Sequence, residues 1–293
     1  MKISSTALRA KRSCTSGYRW FTRRFKSPAE YQSVIDALVA DGRVDDACWL
    51  LDRFGPIESV LVLDAISEPA FVYAGSVEVR GEVEVDGLLR TGGTLRVGGS
   101  IRTGGAVWVG DELHAGAGLR TLGPLRTGGH LVSAWSVEVH GALTCGGDLR
   151  VRGALTCGEA LRGEGSATVA EDLEVNGTIQ CARSLQVAGH LVCTESLRAG
   201  QGIQVGRSIR SGMHIDAGWG IVAGSDIDGE GAIRAGECIV SGGSIRTGDG
   251  FGLCAGLSAR RDAWPSCGRV VSRTRPQNLL SGHWEGVSCD ITA

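Results

Sequence analysis

The chain has 293 residues, 42% of them hydrophobic, and a formal net charge of −2. That balance excludes bulk electrostatic binding to nucleic acid or membrane along the whole chain. No run of 18 apolar residues marks a membrane-spanning helix, and the apolar fraction is that of a folded protein even though 46 residues are Gly.

Residues 1–26 carry eight Lys or Arg and no acid, and read as a basic N-terminal arm. They lack the apolar stretch of a secretory signal, which points to the cytoplasm. Residues 27–75 reverse the sign, with nine acids against Arg43 and Arg53. Here Ser27-Pro28-Ala29-Glu30 reads as a capping box that opens a helix running to about Ala40. A second helix is expected over residues 44–54, stopped by Gly55, with Val34, Leu38, Trp49, Leu50 and Phe54 on the shared buried face. Residues 57–64 and 70–75 read as strands, so 27–75 form a helical and β N-terminal cap on the remainder of the chain.

From Ser76 the chain repeats every six residues: SVEVRG, EVEVDG, LLRTGG, TLRVGG, SIRTGG. The register holds for 29 hexads, to Asp249, without insertion. Position two is aliphatic in every hexad except for Ala167, position four is small or β-branched, and glycines collect at positions five and six. A period of six keeps no residue on one face of a helix. A strand does, because residues two apart share a face, so Leu95 and Val97 point inward together and Arg96 points out. The glycines are expected to supply backbone angles that other residues resist, turning a corner after each short strand. Three corners close an 18-residue triangle, and stacked triangles make an all-β, three-sided β-solenoid. Its expected extent is residues 76–257, about ten coils and roughly 45–50 Å. Leu95, Ile101, Leu113, Leu149, Leu185, Ile209 and Ile233 are expected in its core. Residues 258–293 lose the period and read as an irregular C-terminal cap or tail.

Four of the ten cysteines, Cys145, Cys157, Cys181 and Cys193, fall at the inward position four. Cys145 and Cys181 are six hexads, hence two coils, apart, as are Cys157 and Cys193. That separation of about 9–10 Å is too long for a disulfide, so they read as small buried hydrophobes in a reducing compartment. Cys254, Cys267, His283 and Cys289 carry metal-binding atoms but lack CxxC or HxxxH spacing, so no metal is expected.

Every third hexad stacks, which sorts the outward position three by face. One face reads Arg90, Trp108, Arg126, Thr144, Arg162, Gln180, Arg198, Asp216, Arg234. Arginine at every second coil avoids like charges on adjacent strands. The same alternation also builds a guanidinium ladder suited to a repeating anionic surface, such as a sister rod. Arg90, Arg126, Arg162, Arg198, Arg234 and Trp108 are therefore the candidate interface. The hexad stretch itself carries 15 Arg, no Lys and 20 acids, so such a ladder has acidic patches to meet. Hexapeptide-repeat acyltransferases offer an enzymatic alternative, using a histidine base and a loop extruded from the rod. Here His114, His130, His140, His190 and His214 fall at scattered positions and no loop interrupts the hexads. No catalytic residue and no cofactor is assigned.

Blocks such as DLEVNGTIQCARSLQVAGHLVC (172–193) resemble the bactofilins, polymer-forming bacterial cytoskeletal proteins. The shared feature is an aliphatic-x-small alternation with glycine corners over residues 76–249. The resemblance implies a right-handed triangular β-helix, no cofactor, and assembly into filaments or scaffolds. The expectation is a non-enzymatic, cytoplasmic scaffold whose partner is itself. A third alternative is a rigid module that recruits a protein through the N-terminal helical cap, or nucleic acid or membrane through residues 1–26.

Overall fold

A computed structural model describes residues 1–286. Residues 60–286 form a β-solenoid whose three faces are parallel sheets of 13, 11 and 12 strands. Most strands are three residues long with the pattern buried, outward, buried; Leu95–Val97 and Ile101–Thr103 are examples. Each pairs in register with the strands one coil before and one coil after: Ile101 faces Leu119, and Trp108 faces both Arg90 and Arg126. The expected core residues Leu95, Ile101, Leu113, Leu149, Leu185, Ile209 and Ile233 are all essentially without solvent contact. Each such burial contributes about 1.5–3 kcal/mol, and the hexads supply one per side per coil.

The solenoid has about 13 turns rather than ten, because it outlasts the hexads at both ends. In the first coil Val60 pairs with Ser76 and Ile66 with Val83, both short of three full hexads. The same coil is wound with less chain, so no period of six marks it. At the other end Ile239 pairs with Val270, across a detour that includes a short helix at Trp264–Cys267. Strands Arg269–Ser272, Leu279–Ser281 and His283–Gly286 then continue the stack. Within the tail expected to be irregular from residue 258, these three strands thus extend the stack, with irregular loops between them taking up the slack.

The corner glycines act through absence of Cβ, not through special backbone angles. Among the described residues positive φ at glycine occurs at Gly42, Gly55, Gly250, Gly256 and Gly282, none of them within the hexads. At Gly98, instead, a Cβ would collide with the Arg80 carbonyl oxygen of the neighbouring coil. A second use of glycine is linked to a polar residue at hexad position one. The Asp148, Asp172 and Asp226 carboxylates each accept a backbone N–H from the next coil, from Ser166 (3.0 Å), His190 (2.6 Å) and Ser244 (2.7 Å). His130 and His214 do the same through Nδ1, from Asp148 (2.8 Å) and Ala232 (3.0 Å). The residue just before each donor is Gly165, Gly189, Gly243, Gly147 or Gly231, where a Cβ would collide with the capping atom. At several other corners an inward hydroxyl is used instead, as when Thr91 donates to the Gly93 carbonyl at 3.0 Å.

Residues 1–54 form a helical unit. The basic arm expected at 1–26 is two helices, α1 (Ser5–Ala10) and α2 (Thr15–Arg24), packed on α3 (Tyr31–Ala40) and α4 (Val44–Phe54). Leu8 and Phe21 enter a shared core with Val34, Ile35, Leu38 and Leu50. Trp49 and Phe54 pack against that core half-buried. The expected capping box is not one. Glu30 is the N-cap and its side chain makes no capping bond. Ser27 Oγ accepts from the Ser5 N–H at 3.0 Å, and Ala29–Glu30 pair antiparallel with Lys2–Ile3, so the motif fastens the N-terminus. No helix among the described residues is long and apolar enough to cross a membrane.

Two outcomes test this account. Burial pushes the thiols of Cys157 and Cys181 up to about 12, while Cys14 is exposed. In native protein an alkylating reagent is expected to label Cys14 and to reach Cys145, Cys157, Cys181 and Cys193 only after denaturation, read by peptide mass spectrometry. The Ser244 backbone and side-chain hydrogen bonds hold the Asp226 carboxyl below its ordinary value. A depressed folded pKa gives stability that is complete above the unfolded value and lost as pH falls through the folded one. Asp226→Ala is therefore expected to cost about 1 kcal/mol at neutral pH, and the gap to wild type should close in acid, by thermal unfolding.

Candidate interaction surfaces

The arginine column lies where the repeat puts it, on the 12-stranded face, each residue in register with the next. Its members are not equivalent. Arg90 is covered by the helical unit, its side chain only 12% exposed, and it pairs with Asp52 of α4. Its guanidinium also stacks over Trp108, 5.2 Å from the ring centroid. Burial opposes the Arg90 charge, but the Asp52 and Cys48 interactions outweigh it and raise its pKa. One nitrogen, Nη1, is buried without a hydrogen-bond partner. At the far end Arg198 and Arg234 share Asp216, at 3.4 Å and 2.6 Å. Only Arg126 and Arg162 of the column make no ion pair among the described residues. Of the four residues between arginines, Trp108 is a shelf and Asp216 a bridge, while Thr144 and Gln180 carry no charge; together with Asp52 they engage three of the five arginines.

The helical unit is fixed to the solenoid at its first coil. Val72 points outward from the strand Phe71–Tyr73 but is buried in the helical core, with Ala74 beside it. Gln32 of α3 treats that strand as a neighbour strand would. Its Nε2 donates to the Val72 carbonyl (3.1 Å) and its Oε1 accepts from the Ala74 N–H (2.9 Å). Ile57 N–H adds a bond to the Ala74 carbonyl at 3.0 Å. These bonds take up the Val72 carbonyl and both backbone groups of Ala74 on the side away from the second coil, so the helical unit covers the edge of the 12-stranded sheet here. Phe71 and Tyr73 sit over Leu89 and Thr91 and plug the end of the core, with Tyr73 hydroxyl 3.0 Å from Ser59 Oγ.

The other two faces end differently. The strand Val60–Leu63 pairs on one side only, with Ser76–Val79. No backbone bond from Val60 or Val62 to the helical unit is present among the described residues. Val60 and Val62 are 60% and 50% exposed, and Leu61 and Leu63 are half-buried. The strand Ile66–Glu68 likewise ends the 11-stranded sheet. Two of three terminal edges are therefore open, one of them a run of four aliphatics.

Charge is unevenly divided. Residues 1–54 hold ten Lys or Arg and six acids, the remainder twenty and twenty-six. A groove of about 610 Å³ on the helical unit is lined by Arg19, Trp20, Arg23, Arg24 and Arg43, with Asp41. Arg19 and Arg23 are exposed and make no ion pair among the described residues, whereas Arg24 reaches Asp41 at 3.6 Å.

The histidines are spent locally. His130 and His214 cap backbone as above, His190 bonds Ser208, His114 and His140 bond Glu112 and Glu138, and His283 bonds Glu285. Cys254, Cys267 and His283 belong to no metal-competent cluster among the described residues; Cys289 lies outside them. A family model described as the YdhT N-terminal domain matches residues 1–54, and its boundary falls at the end of α4. No curated protein and no solved structure matches the chain significantly.

Arg90 separates packing from charge in the helical docking. Arg90→Ala removes the Trp108 stack and the Asp52 bond and is expected to destabilise the helical unit by about 2 kcal/mol. Arg90→Met keeps the volume and discards a buried charge with an unpartnered nitrogen, and should recover most of that loss. Loss of helical circular dichroism on heating reads both.

Proposed function

We propose that this protein is a non-enzymatic, bactofilin-like cytoplasmic scaffold, a rigid rod that joins copies of itself into higher-order assemblies. The open edge at Val60–Leu63 carries the reading. An exposed aliphatic edge strand is a template for another strand, and folded proteins ordinarily shorten, charge or cover such edges. This chain covers one terminal edge with a dedicated glutamine and leaves the neighbouring one bare. A second Val60–Leu63 strand is a self-complementary occupant, related by a two-fold axis that makes the pairing antiparallel; this junction joins two rods end to end, and larger assemblies add a second, different contact between the joined pairs. The inert core thiols suit a reducing compartment. The use of His114, His130, His140, His190 and His214 in bonds to position-one neighbours or nearby glutamates favours scaffold over acyl transfer.

Sedimentation velocity and negative-stain imaging over a concentration series test the reading. Wild type is expected to form end-joined rods as concentration rises. Val60→Lys/Val62→Lys, which puts charge on the edge without touching the core, should remain single. Monodisperse single wild-type rods at high concentration would overturn the proposal.

A further inference from the structure

We infer that the basic surface of the helical unit is a docking surface for the acidic flank of a second copy of this chain. The inference rests on the edge-pairing reading above and adds to it a second, electrostatic contact. Three observations converge. The cations of the helical unit are largely unspent: Lys11, Arg12, Arg19, Arg23 and Lys26 are exposed and form no ion pair among the described residues. The first two coils of the 11-stranded face and its corners are the opposite, with Asp64, Glu68, Glu82, Glu84 and Asp86 all exposed. Of these five only Asp64 has an ion pair among the described residues, with Arg80 at 2.8 Å.

The third observation is geometric. Around the axis the chain runs from the 13-stranded face to the 11-stranded and then to the 12-stranded face. A two-fold axis that pairs two Val60–Leu63 edges antiparallel reverses the order of the faces in the partner. The partner's 12-stranded face then stands opposite this copy's 11-stranded face across the junction, and because a helix about 10–12 Å thick lies over that edge, the two rods meet at an angle, splayed apart on that side. The helical unit sits on the first coil of the 12-stranded face and over its edge. It is therefore carried to the acidic first coils of the 11-stranded face across the junction. The operation is reciprocal, so each junction holds two such contacts. It also accounts for the bare Ile66–Glu68 edge, which lies where the partner's helical unit arrives. Exposed pairs are individually weak and screened by salt. The contact should govern encounter rate, orientation and salt dependence, while the strand edges supply the holding surface.

Charge exchange tests this with the full chain. Arg19→Glu/Arg23→Glu and Glu68→Arg/Asp86→Arg alter exposed side chains without ion pairs. Each variant alone is expected to self-associate at least tenfold more weakly than wild type at low salt. Their equimolar mixture should restore association, and 0.5 M NaCl, where screening is within about 5 Å, should erase the differences. Restoration also shows that both variants are folded. Wild-type rods that join while Arg19→Glu/Arg23→Glu joins as tightly would overturn this inference and leave the edge reading standing. Failure of wild type to join at any salt would overturn both. A mixture that stays dissociated would also overturn it, as would loss of binding to a single-stranded oligonucleotide or phosphatidylglycerol vesicles in Arg19→Glu/Arg23→Glu with self-association unchanged.

Discussion

Through the hexad region each strand lies directly above its counterpart in the previous coil, and its ladder hydrogen bonds go to its neighbours along the axis. That stacking constraint orders the rest of the molecule. Coils are about 4.8 Å apart, which leaves no room at a corner for a Cβ aimed at the neighbouring coil. Gly98 against the Arg80 carbonyl is one consequence. The corner N–H that finds no backbone acceptor is the next, and it is met by a side chain from position one of the coil before. The pairing of Asp226 with Gly243, or His214 with Gly231, is a single device spread over nearly a whole coil of sequence. On the 12-stranded face the outward arginines are separated by residues such as Trp108 or Asp216, which relieves repulsion at one coil spacing, whereas on the 11-stranded face Arg102 and Arg120 stack directly, so the alternation belongs to that one column.

The core and the three faces were legible because one period encodes both the strand and the corner. Leu95, Ile101 and their counterparts follow from counting in sixes, and so does the membership of the arginine column. What escaped was set by contacts off the period. The first coil is wound short of three hexads on two of its faces, and the last ones absorb a long detour, so their strands leave no repeat to count. The N-terminal helices escaped because eight cations without an acid look like a solvated arm. The apolar residues that bury them, Leu8 and Phe21, are few and widely spaced. Arg90 could be placed on its face from sequence, but not beneath α4, because Asp52 comes from outside the repeat. The capping pairs were present in the sequence as Asp, His or Ser at position one, with Gly at position six just before the same corner of the next coil. Within a glycine-rich chain that signal shows only once the coil spacing is known.

A solenoid has no natural end, and its termini must be dealt with by residues outside the repeat. Here the interior and the edges are treated separately. Phe71 and Tyr73 seal the core with aromatic bulk, which keeps water out whatever happens at the backbone. The backbone edge is sealed at one face by Gln32, whose amide offers a donor and an acceptor in the spacing of a strand. A cap meant to keep the rod solitary would have to treat Val60–Leu63 in the same way, and this one does not. Under the proposed end-to-end pairing, covering one edge while leaving another bare would admit a partner in one orientation and reject it in the others. On that proposal the helical unit is less a lid than a key, because its position on a single face would make the end of the rod selective.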